Sequence, residues 1–438
     1  MEKQNRETFN SKFGFILACV GSAVGMGNIW MFPYRVAQYG GAAFLIPYFI
    51  FVFLLGIAGV AGEMAFGRAM KSGPLGAFKK ATEFRGSKIG EWIGLLPTLG
   101  SLALAIGYSV VVGWIIRYLV ASLTGNILKV DTAEYFGELC GDFGSLPWHI
   151  AGLLITFLLM ILGVAKGIEK INKIMMPLFF ALFFLLAIRV AFLDGAVEGY
   201  VYLFKPVWSK LLNVQTWVYA LGQAFFSLSL AGSGTLVYGS YLKNTEDVTA
   251  CAQNVALFDT IAALLAALVI IPSVFVFDLD LSAGPGLMFI TMPKVFQLLP
   301  FGHIFGVVFF VAVLFAGVTS LINLFESPIE ALQTKFGLSR KVSVAIIAVI
   351  GTGVSVLIEN GDVVSNWMDV VSIYIIPLGA LLAAIMFFWV CPKGFAREQV
   401  QLGREKKIAD RFEFLTKYVF VGLTIIVYIL GILYGGIG

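Results

Sequence analysis

Charge, cysteine and histidine are all scarce in this chain of 438 residues. Only 13% of the residues are charged, whereas 59% are hydrophobic, and the mean hydropathy is +0.92. Soluble globular domains carry about 25% charged residues, so this composition excludes that class. The four cysteines and two histidines are scattered along the sequence, and they indicate neither a disulfide framework nor a metal or catalytic cluster. We therefore do not expect an enzyme.

The chain is rich instead in long hydrophobic runs. Apolar segments long enough to cross a bilayer recur from end to end and predict an all-α, polytopic membrane protein. About eleven spans are expected, at roughly 13–39, 43–68, 90–122, 147–165, 174–193, 214–241, 249–277, 303–334, 342–358, 365–390 and 412–434. The connection 278–302 contains an apolar piece too short to span, and it is predicted to form a re-entrant or lid segment.

The distribution of Lys and Arg predicts the orientation of the chain. Most of the 30 Lys and Arg fall in connections that share one side when the N-terminus is cytoplasmic. The positive-inside rule therefore predicts a cytoplasmic N-terminus, and eleven spans then place the C-terminus outside the cell inner (plasma) membrane. We expect one transporter domain, 1–438, with an inverted repeat of five helices plus five. The first repeat would be 1–212 and the second 213–390, followed by a cytoplasmic loop and the eleventh helix in 391–438.

Two glycine-rich stretches interrupt corresponding spans of the two halves. The first is Gly21 to Asn28 in span 1, and the second is Ser227 to Gly234 in span 6. Glycine disfavours a helix interior, and lipid offers no water to the backbone groups that unwinding frees. Two such interruptions at matching positions predict broken helices 1 and 6 around a binding site near the membrane midplane. Close helix packing through small residues is the alternative explanation of the first stretch.

Five motifs, in order along nearly the whole chain, resemble those of the neurotransmitter:sodium symporter family. The motifs are Gly21 to Tyr34, Gly62 to Arg68, Tyr108 to Trp114, Gln223 to Leu230 and Ala316 to Ser320. The resemblance is to the bacterial amino-acid:sodium symporters of this family. It implies import of amino acids by alternating access, coupled to sodium ions, of which two are expected.

The resemblance implies two sodium sites. One uses the backbone carbonyls of Gly21, Val24 and Ala316 with the hydroxyls of Thr319 and Ser320. Ala316, Thr319 and Ser320 share one helical face through i, i+3 and i+4 spacing, although both hydroxyls could instead bond back to their own helix. The other site, by resemblance, uses Ala23, Asn28, Ser227 and Asp259.

Asp259 departs from the family pattern, since relatives usually have Asn at the corresponding position of the seventh span, 249–277. A carboxylate near the bilayer centre costs about 2.5–3.5 kcal/mol on insertion scales, so such residues are functional by default. A fixed negative charge beside sodium could replace the chloride that many animal relatives need, and we expect no chloride requirement. Proton return through this carboxylate on the empty carrier is a further hypothesis. A protonated Asp259 that only bonds a neighbouring helix is the structural alternative.

By resemblance, the substrate lies between the two helix breaks. The residues expected to contact it are Ser22, Ala23, Met26, Gly27, Leu104, Tyr108, Phe226, Ser229, Gly232, Ser320, Leu321 and Leu324. Most are small or apolar, which favours a hydrophobic L-amino acid. Gly232 replaces a bulky aromatic residue of a leucine-selective relative and favours Tyr or Trp, while Leu104 and Leu324 keep Leu possible. The stretch Ser22 to Gly25 lacks the Asp of amine-specific relatives, so a substrate with its own carboxylate is favoured.

The gates depart from the family pattern. Met31 stands where relatives carry the arginine of the outer gate, and Arg35, one helical turn on, is the candidate replacement. Asp369 is the candidate for the acid that pairs with this arginine in relatives. Inside, Arg6 with Phe9 and Tyr241 resembles the cytoplasmic latch, with Glu326 and Glu330 as candidates for its counter-charge. Glu63 resembles the acid that supports the amides freed by the break in helix 1.

Two other functional classes remain compatible with the sequence. A proton-coupled amino-acid permease could share the five-plus-five architecture without needing Asn28 and the Thr319–Ser320 pair. A membrane sensor or channel would bind a ligand or conduct without concentrating it. The expected partners are a small amino acid and the lipid bilayer, with no nucleic acid, and the oligomeric state is left open.

Overall fold

The computed structural model describes residues 7–230, 233–281 and 284–437 of the chain. Within these ranges every regular element is helical and no β-strand occurs, which confirms the all-α prediction. Arg6 and Gly232, both predicted to have functional roles, lie outside the described residues.

The helices used below are numbered in chain order. They are α1 Lys12–Ala23, α2 Gly27–Gln38, α3 Ala42–Met70, α4 Pro74–Glu83, α5 Gly90–Leu123, α6 Leu146–Ile161, α7 Val164–Ala191, α8 Val214–Ser227, α9 Gly234–Gly239, α10 Val248–Val276, α11 Leu287–Leu298, α12 Gly302–Phe336, α13 Arg340–Leu357, α14 Gly361–Val390 and α15 Phe412–Leu433. Eight of those in the described ranges are long and apolar enough to cross a membrane. The pair α1 and α2 passes the same test as one bent span.

The first predicted span is broken where its glycines lie. α1 ends at Ala23, Val24 is extended with φ −69° and ψ 109°, and α2 begins at Gly27. The two halves meet at a bend of 58°. The glycine-rich stretch therefore interrupts the helix, as predicted, and does more than allow close packing.

The sixth predicted span is also divided. α8 ends at Ser227 and α9 begins at Gly234. Between them Ser229 and Ser233 have φ of 56° and 55°, in the left-handed region that non-glycine residues rarely adopt. Two of the residues that connect the halves, 231 and 232, lie outside the described ranges.

The predicted boundary between spans 4 and 5 is wrong. We expected spans at 147–165 and 174–193, whereas α6 ends at Ile161 and α7 already begins at Val164. Gly163, with φ 91°, makes the turn between them. Three lysines in 166–173 suggested a loop, but they lie on helical turns, and Lys173 pairs with Glu169 at 2.6 Å.

The connection after α10 forms the expected short helix. α11 has too few residues to span a bilayer and is mostly buried. Phe289 stacks on Phe136 and meets Trp114 edge to face, with ring centroids at 5.2 and 5.7 Å. This aromatic contact anchors α11 to α5 and to the connection between α5 and α6.

Candidate functional site

A buried carboxylate cluster joins the two helix breaks to α10. Asn28 donates through Nδ2 to Asp259 Oδ1 at 2.8 Å, and Ser227 donates through Oγ to Asp259 Oδ2 at 2.6 Å. Asn28 Nδ2 also lies 3.1 Å from Ser227 Oγ, and Asn28 Oδ1 accepts from the Gly25 amide at 3.0 Å. Asp259 is fully buried. Three residues predicted for one sodium site thus lie together. Ala23, the fourth, is the last residue of α1, at the same helix break as Asn28.

A second group of oxygens lies where α12 meets the break. Ser320 donates through Oγ to the carbonyls of Val24 and Gly21 at 3.0 and 3.2 Å. Thr319 instead donates within its own helix, to Phe315 O at 2.8 Å and Ala316 O at 3.2 Å. The back-bonding alternative therefore applies to Thr319 and not to Ser320. Hard cations prefer oxygen ligands, and these carbonyls and hydroxyls form a suitable donor set.

The start of α2 meets Tyr108 on α5. The Met26 amide donates to the Tyr108 hydroxyl at 3.3 Å. A side chain at Gly25 would place its Cβ 3.1 Å from that hydroxyl and 3.2 Å from Ser320 Oγ, whereas Gly27 faces open space. Amides at a helix start favour an anion such as a carboxylate. Gln223, which the sequence analysis did not select, donates to the Gly27 carbonyl at 3.2 Å.

Ser22 and Ser229 connect the two breaks directly. Ser229 donates through Oγ to the Ser22 carbonyl at 2.8 Å, and the two hydroxyls lie 3.2 Å apart. The apolar substrate candidates differ in burial: Leu321 and Leu324 are buried, whereas Leu104 and Phe226 are half-buried.

Comparison with known proteins fits this arrangement of broken helices and oxygen donors. The profile of the Sodium:neurotransmitter symporter family matches residues 6–140 and 136–432. The chain belongs to this family. An uncharacterized sodium-dependent transporter, YhdH, of Bacillus subtilis is 38% identical over 331 residues, which is 74% of this chain and 72% of the relative. An uncharacterized sodium-dependent transporter of Methanocaldococcus jannaschii is 33% identical over 96% of this chain and 89% of its own.

A solved structure extends the similarity to the whole fold. The crystal structure of MhsT in complex with L-phenylalanine superimposes with a TM-score of 0.86 at 32% identity. It covers 97% of this chain and 99% of MhsT. This member of the Sodium:neurotransmitter symporter family is therefore a multi-pass membrane transporter with the MhsT fold, and not an enzyme.

The outer-gate candidates of this family member do not meet. Arg35 places its guanidinium 3.9 Å from the ring centroid of Tyr219. Asp369 is exposed, and no ion pair joins it to Arg35 in the described part of the chain. Sequence reasoning missed Tyr219, which belongs to an apolar stretch without any charge to mark it.

The Glu63 side chain contacts the second broken helix of the symporter. Its carboxylate accepts a hydrogen bond from the Thr235 hydroxyl in α9. The same two helices approach closely, since a Cβ at Gly67 would lie 1.9 Å from the Leu236 carbonyl oxygen. This hydrogen bond thus ties α3 to α9. Support of the first break by Glu63 stays a prediction.

At the residues predicted to form the cytoplasmic latch, Glu326 is the centre of a buried network. Arg340 donates to it through both terminal nitrogens at 2.8 Å, and the Tyr241 hydroxyl donates at 2.7 Å. Glu330 instead accepts from Ser72 at 3.3 Å and Thr334 at 2.6 Å. Of the two candidate counter-charges, Glu326 is therefore the one in contact with Tyr241. Sequence reasoning missed Arg340, because it was counted only as a cytoplasmic positive charge.

Proposed function

We propose that this chain is a sodium-coupled symporter that imports hydrophobic L-amino acids, preferably aromatic ones, without needing chloride. It is expected in the cell inner (plasma) membrane with a cytoplasmic N-terminus. The observation that carries the proposal is the buried contact of Asn28, Ser227 and Asp259 between the two helix breaks. A charged group of this kind inside a membrane marks an ion or substrate path.

Two sodium ions are proposed as co-substrates. One ion would take oxygens from Ala23, Asn28, Ser227 and Asp259. The other would take the carbonyls of Gly21, Val24 and Ala316 with the hydroxyls of Thr319 and Ser320. The close approach of Ser320 Oγ to two unwound carbonyls supports the second assignment, because those carbonyls lack helical partners at the break.

The substrate's amino-acid head group is proposed to lie between the breaks. The Met26 amide and the Tyr108 hydroxyl would hold the carboxylate, and carbonyls near Ser22 and Ser229 would hold the ammonium. Leu104, Phe226, Leu321 and Leu324 would surround the side chain. The L-phenylalanine in the MhsT structure supports a hydrophobic, aromatic substrate.

Charge balance supports independence from chloride. Asp259 is buried beside both breaks and can offer its negative charge directly to a bound cation. An anion from solution is then unnecessary. The same carboxylate could bind a proton after sodium leaves, and this proton would return to the outside on the empty carrier.

Uptake into proteoliposomes tests the proposal. Labelled Tyr, Trp, Phe and Leu are offered under an inward sodium gradient, with potassium replacing sodium in one arm and gluconate replacing chloride in another. We expect concentrative uptake that needs sodium and not chloride, with the aromatic substrates favoured. Uptake driven by a pH gradient alone would instead indicate a proton-coupled permease. Saturable binding without accumulation would indicate a sensor.

A further inference from the structure

One buried polar atom next to the proposed sodium residues has no role so far. The side chain of Asn172, on α7, is fully buried, and its Oδ1 has no hydrogen-bond partner among the described residues. Burying an acceptor without a partner is costly, so such an atom in a packed interior calls for an explanation.

The orientation of this amide is fixed. Asn172 Nδ2 donates to the Ile168 carbonyl, one turn earlier, at 2.8 Å. A flipped amide would place Oδ1 against that carbonyl oxygen, with two acceptors facing each other. The free oxygen therefore points away from α7.

That oxygen points at the break in the first span. A Cβ built at Gly21 would lie 2.1 Å from Asn172 Oδ1 and 3.1 Å from Thr319 Oγ1. The amide oxygen of α7 and the hydroxyl of α12 thus converge on the same small volume at Gly21. A glycine is required there, because any side chain would collide with Asn172.

We propose that Asn172 supplies a further oxygen to the sodium ion proposed at Gly21, Val24, Ala316, Thr319 and Ser320. The inference rests on the proposed function and adds α7 to that site. An amide oxygen is a suitable neutral ligand for a hard cation, and the ion would satisfy the buried acceptor. Sodium would then connect three helices, α1, α7 and α12, and its departure would loosen α7 from α1.

Sodium alone serves as the probe, because the substrate need not be known. The sodium-induced rise in melting temperature is titrated on the purified full-length protein, with potassium holding the ionic strength constant. Asn172→Ala is compared with Asn172→Asp, which keeps an oxygen at the same place. We expect Asn172→Ala to raise the half-saturating sodium concentration by about fivefold or more, as the loss of one ligand oxygen predicts. Asn172→Asp should stay near or below the wild-type value.

Asn254→Ala is the matched control. Asn254 makes the same amide contact one turn back, to Ala250 O at 2.7 Å, on α10. We expect its sodium titration to match the wild type, which would show that losing this kind of helix contact is not the cause. If Asn172→Ala does not fold, the size-matched Asn172→Leu is judged by the same criterion.

Two results would overturn the inference. The first is an Asn172→Ala titration within about twofold of wild type, which is less than a lost ligand predicts. The second is an equal rise for Asn172→Ala and Asn172→Asp, which would mean a packing role only.

Thr319→Ala distinguishes failure of the Asn172 role from failure of the sodium site itself. If Thr319→Ala weakens sodium binding and Asn172→Ala does not, only the role of Asn172 fails. If neither wild type nor Thr319→Ala shows a sodium effect, the sodium site itself fails.

Discussion

At the residue scale, Asp259 is an acidic side chain fully buried on the apolar helix α10. Its two oxygens each receive one hydrogen bond, from Asn28 and Ser227, so the carboxylate is held between both breaks. A carboxylate held in this way can stabilise a bound cation without an anion from solution. Replacing it with an amide of the same size tests the charge alone.

Asp259→Asn should therefore make transport depend on chloride. The amide keeps the size of the side chain and removes its charge, so an anion must enter to balance sodium. We expect uptake to fall by tenfold or more in gluconate, about 1.4 kcal/mol, and to recover partly in chloride. Uptake in proteoliposomes measures this, with Asp410→Asn, an exposed acid, as the control. Equal uptake by Asp259→Asn in both anions would contradict the role of the charge.

Ser320 makes a second residue-scale prediction. Ser320→Ala removes the only side-chain oxygen that contacts both unwound carbonyls, of Gly21 and Val24, in the described part of the chain. We expect the half-saturating sodium concentration to rise by about tenfold, since one ligand of a hard cation is lost. Sodium-dependent uptake measures it.

A buried serine elsewhere provides the control for Ser320. Ser273 donates to Val269 O at 2.6 Å within its own helix, away from either break. Ser273→Ala should leave the sodium dependence unchanged. If both variants shift it equally, the effect belongs to helix packing and not to a sodium ligand.

At the scale of elements, α12 and α13 are joined by a buried ion pair. Arg340→Met leaves Glu326 buried without its charged partner, and removing one member of such a pair costs about 3–5 kcal/mol. We expect a large fall in melting temperature. Arg397→Met, which breaks the exposed pair with Asp410, should have little effect, because surface pairs contribute about 0–1 kcal/mol. Differential scanning fluorimetry compares the two, and equal losses would contradict the importance of burial.

A buried glutamate in the connection between α13 and α14 predicts that the stability of the folded protein depends on pH. Glu359 lies between these helices, and burial raises the pKa of its carboxyl, although Ser145 donates to it at 2.6 Å. The folded state therefore holds this proton more tightly than the unfolded state. Burial of the ionised carboxylate destabilises the folded state. This loss of stability is absent at pH below the ordinary glutamate pKa and grows as the pH rises through the raised pKa of the folded state.

Glu359→Gln should remove this penalty. We expect the variant to melt at a higher temperature than wild type near pH 7, with the difference shrinking as the pH is lowered toward 4. Melting temperatures across this range measure it. A difference that stays constant with pH would show that the Glu359 charge does not matter.

The sequence predicted elements better than the contacts between them. Hydropathy places the spans because lipid requires long apolar helices, and the glycines place both breaks. The α6–α7 boundary escaped prediction, because Lys166 and its neighbours are charged although helical. The sequence also could not predict that Ser320 bonds to the carbonyls of the first break while Thr319 bonds within α12. That difference depends on which face of α12 meets α1.

At the scale of the whole molecule, one carrier joins ion and substrate through two broken helices. The breaks lie in the first and sixth predicted spans, where the predicted five-plus-five repeat would place a site that each side can reach in turn. If sodium and substrate cross the membrane together, the number of charges moved per cycle determines how strongly the membrane potential drives substrate accumulation. The gating candidates differ in their chemistry: Arg35 stacks on an aromatic ring, while Glu326 and Arg340 form an ion pair.

The steady-state accumulation of a neutral amino acid should reveal the number of charges moved. Each charge crossing 100 mV releases about 2.3 kcal/mol, so about 60 mV is worth tenfold per charge. Two sodium ions without proton return predict about a hundredfold change per 60 mV, whereas return of one proton through Asp259 predicts about tenfold. Uptake into proteoliposomes clamped with potassium and valinomycin measures the slope. Asp259→Asn, measured in gluconate so that no chloride enters with sodium, should give the steeper slope if the wild type returns a proton. A wild-type slope near zero would contradict a stoichiometry of two sodium ions with at most one returned proton.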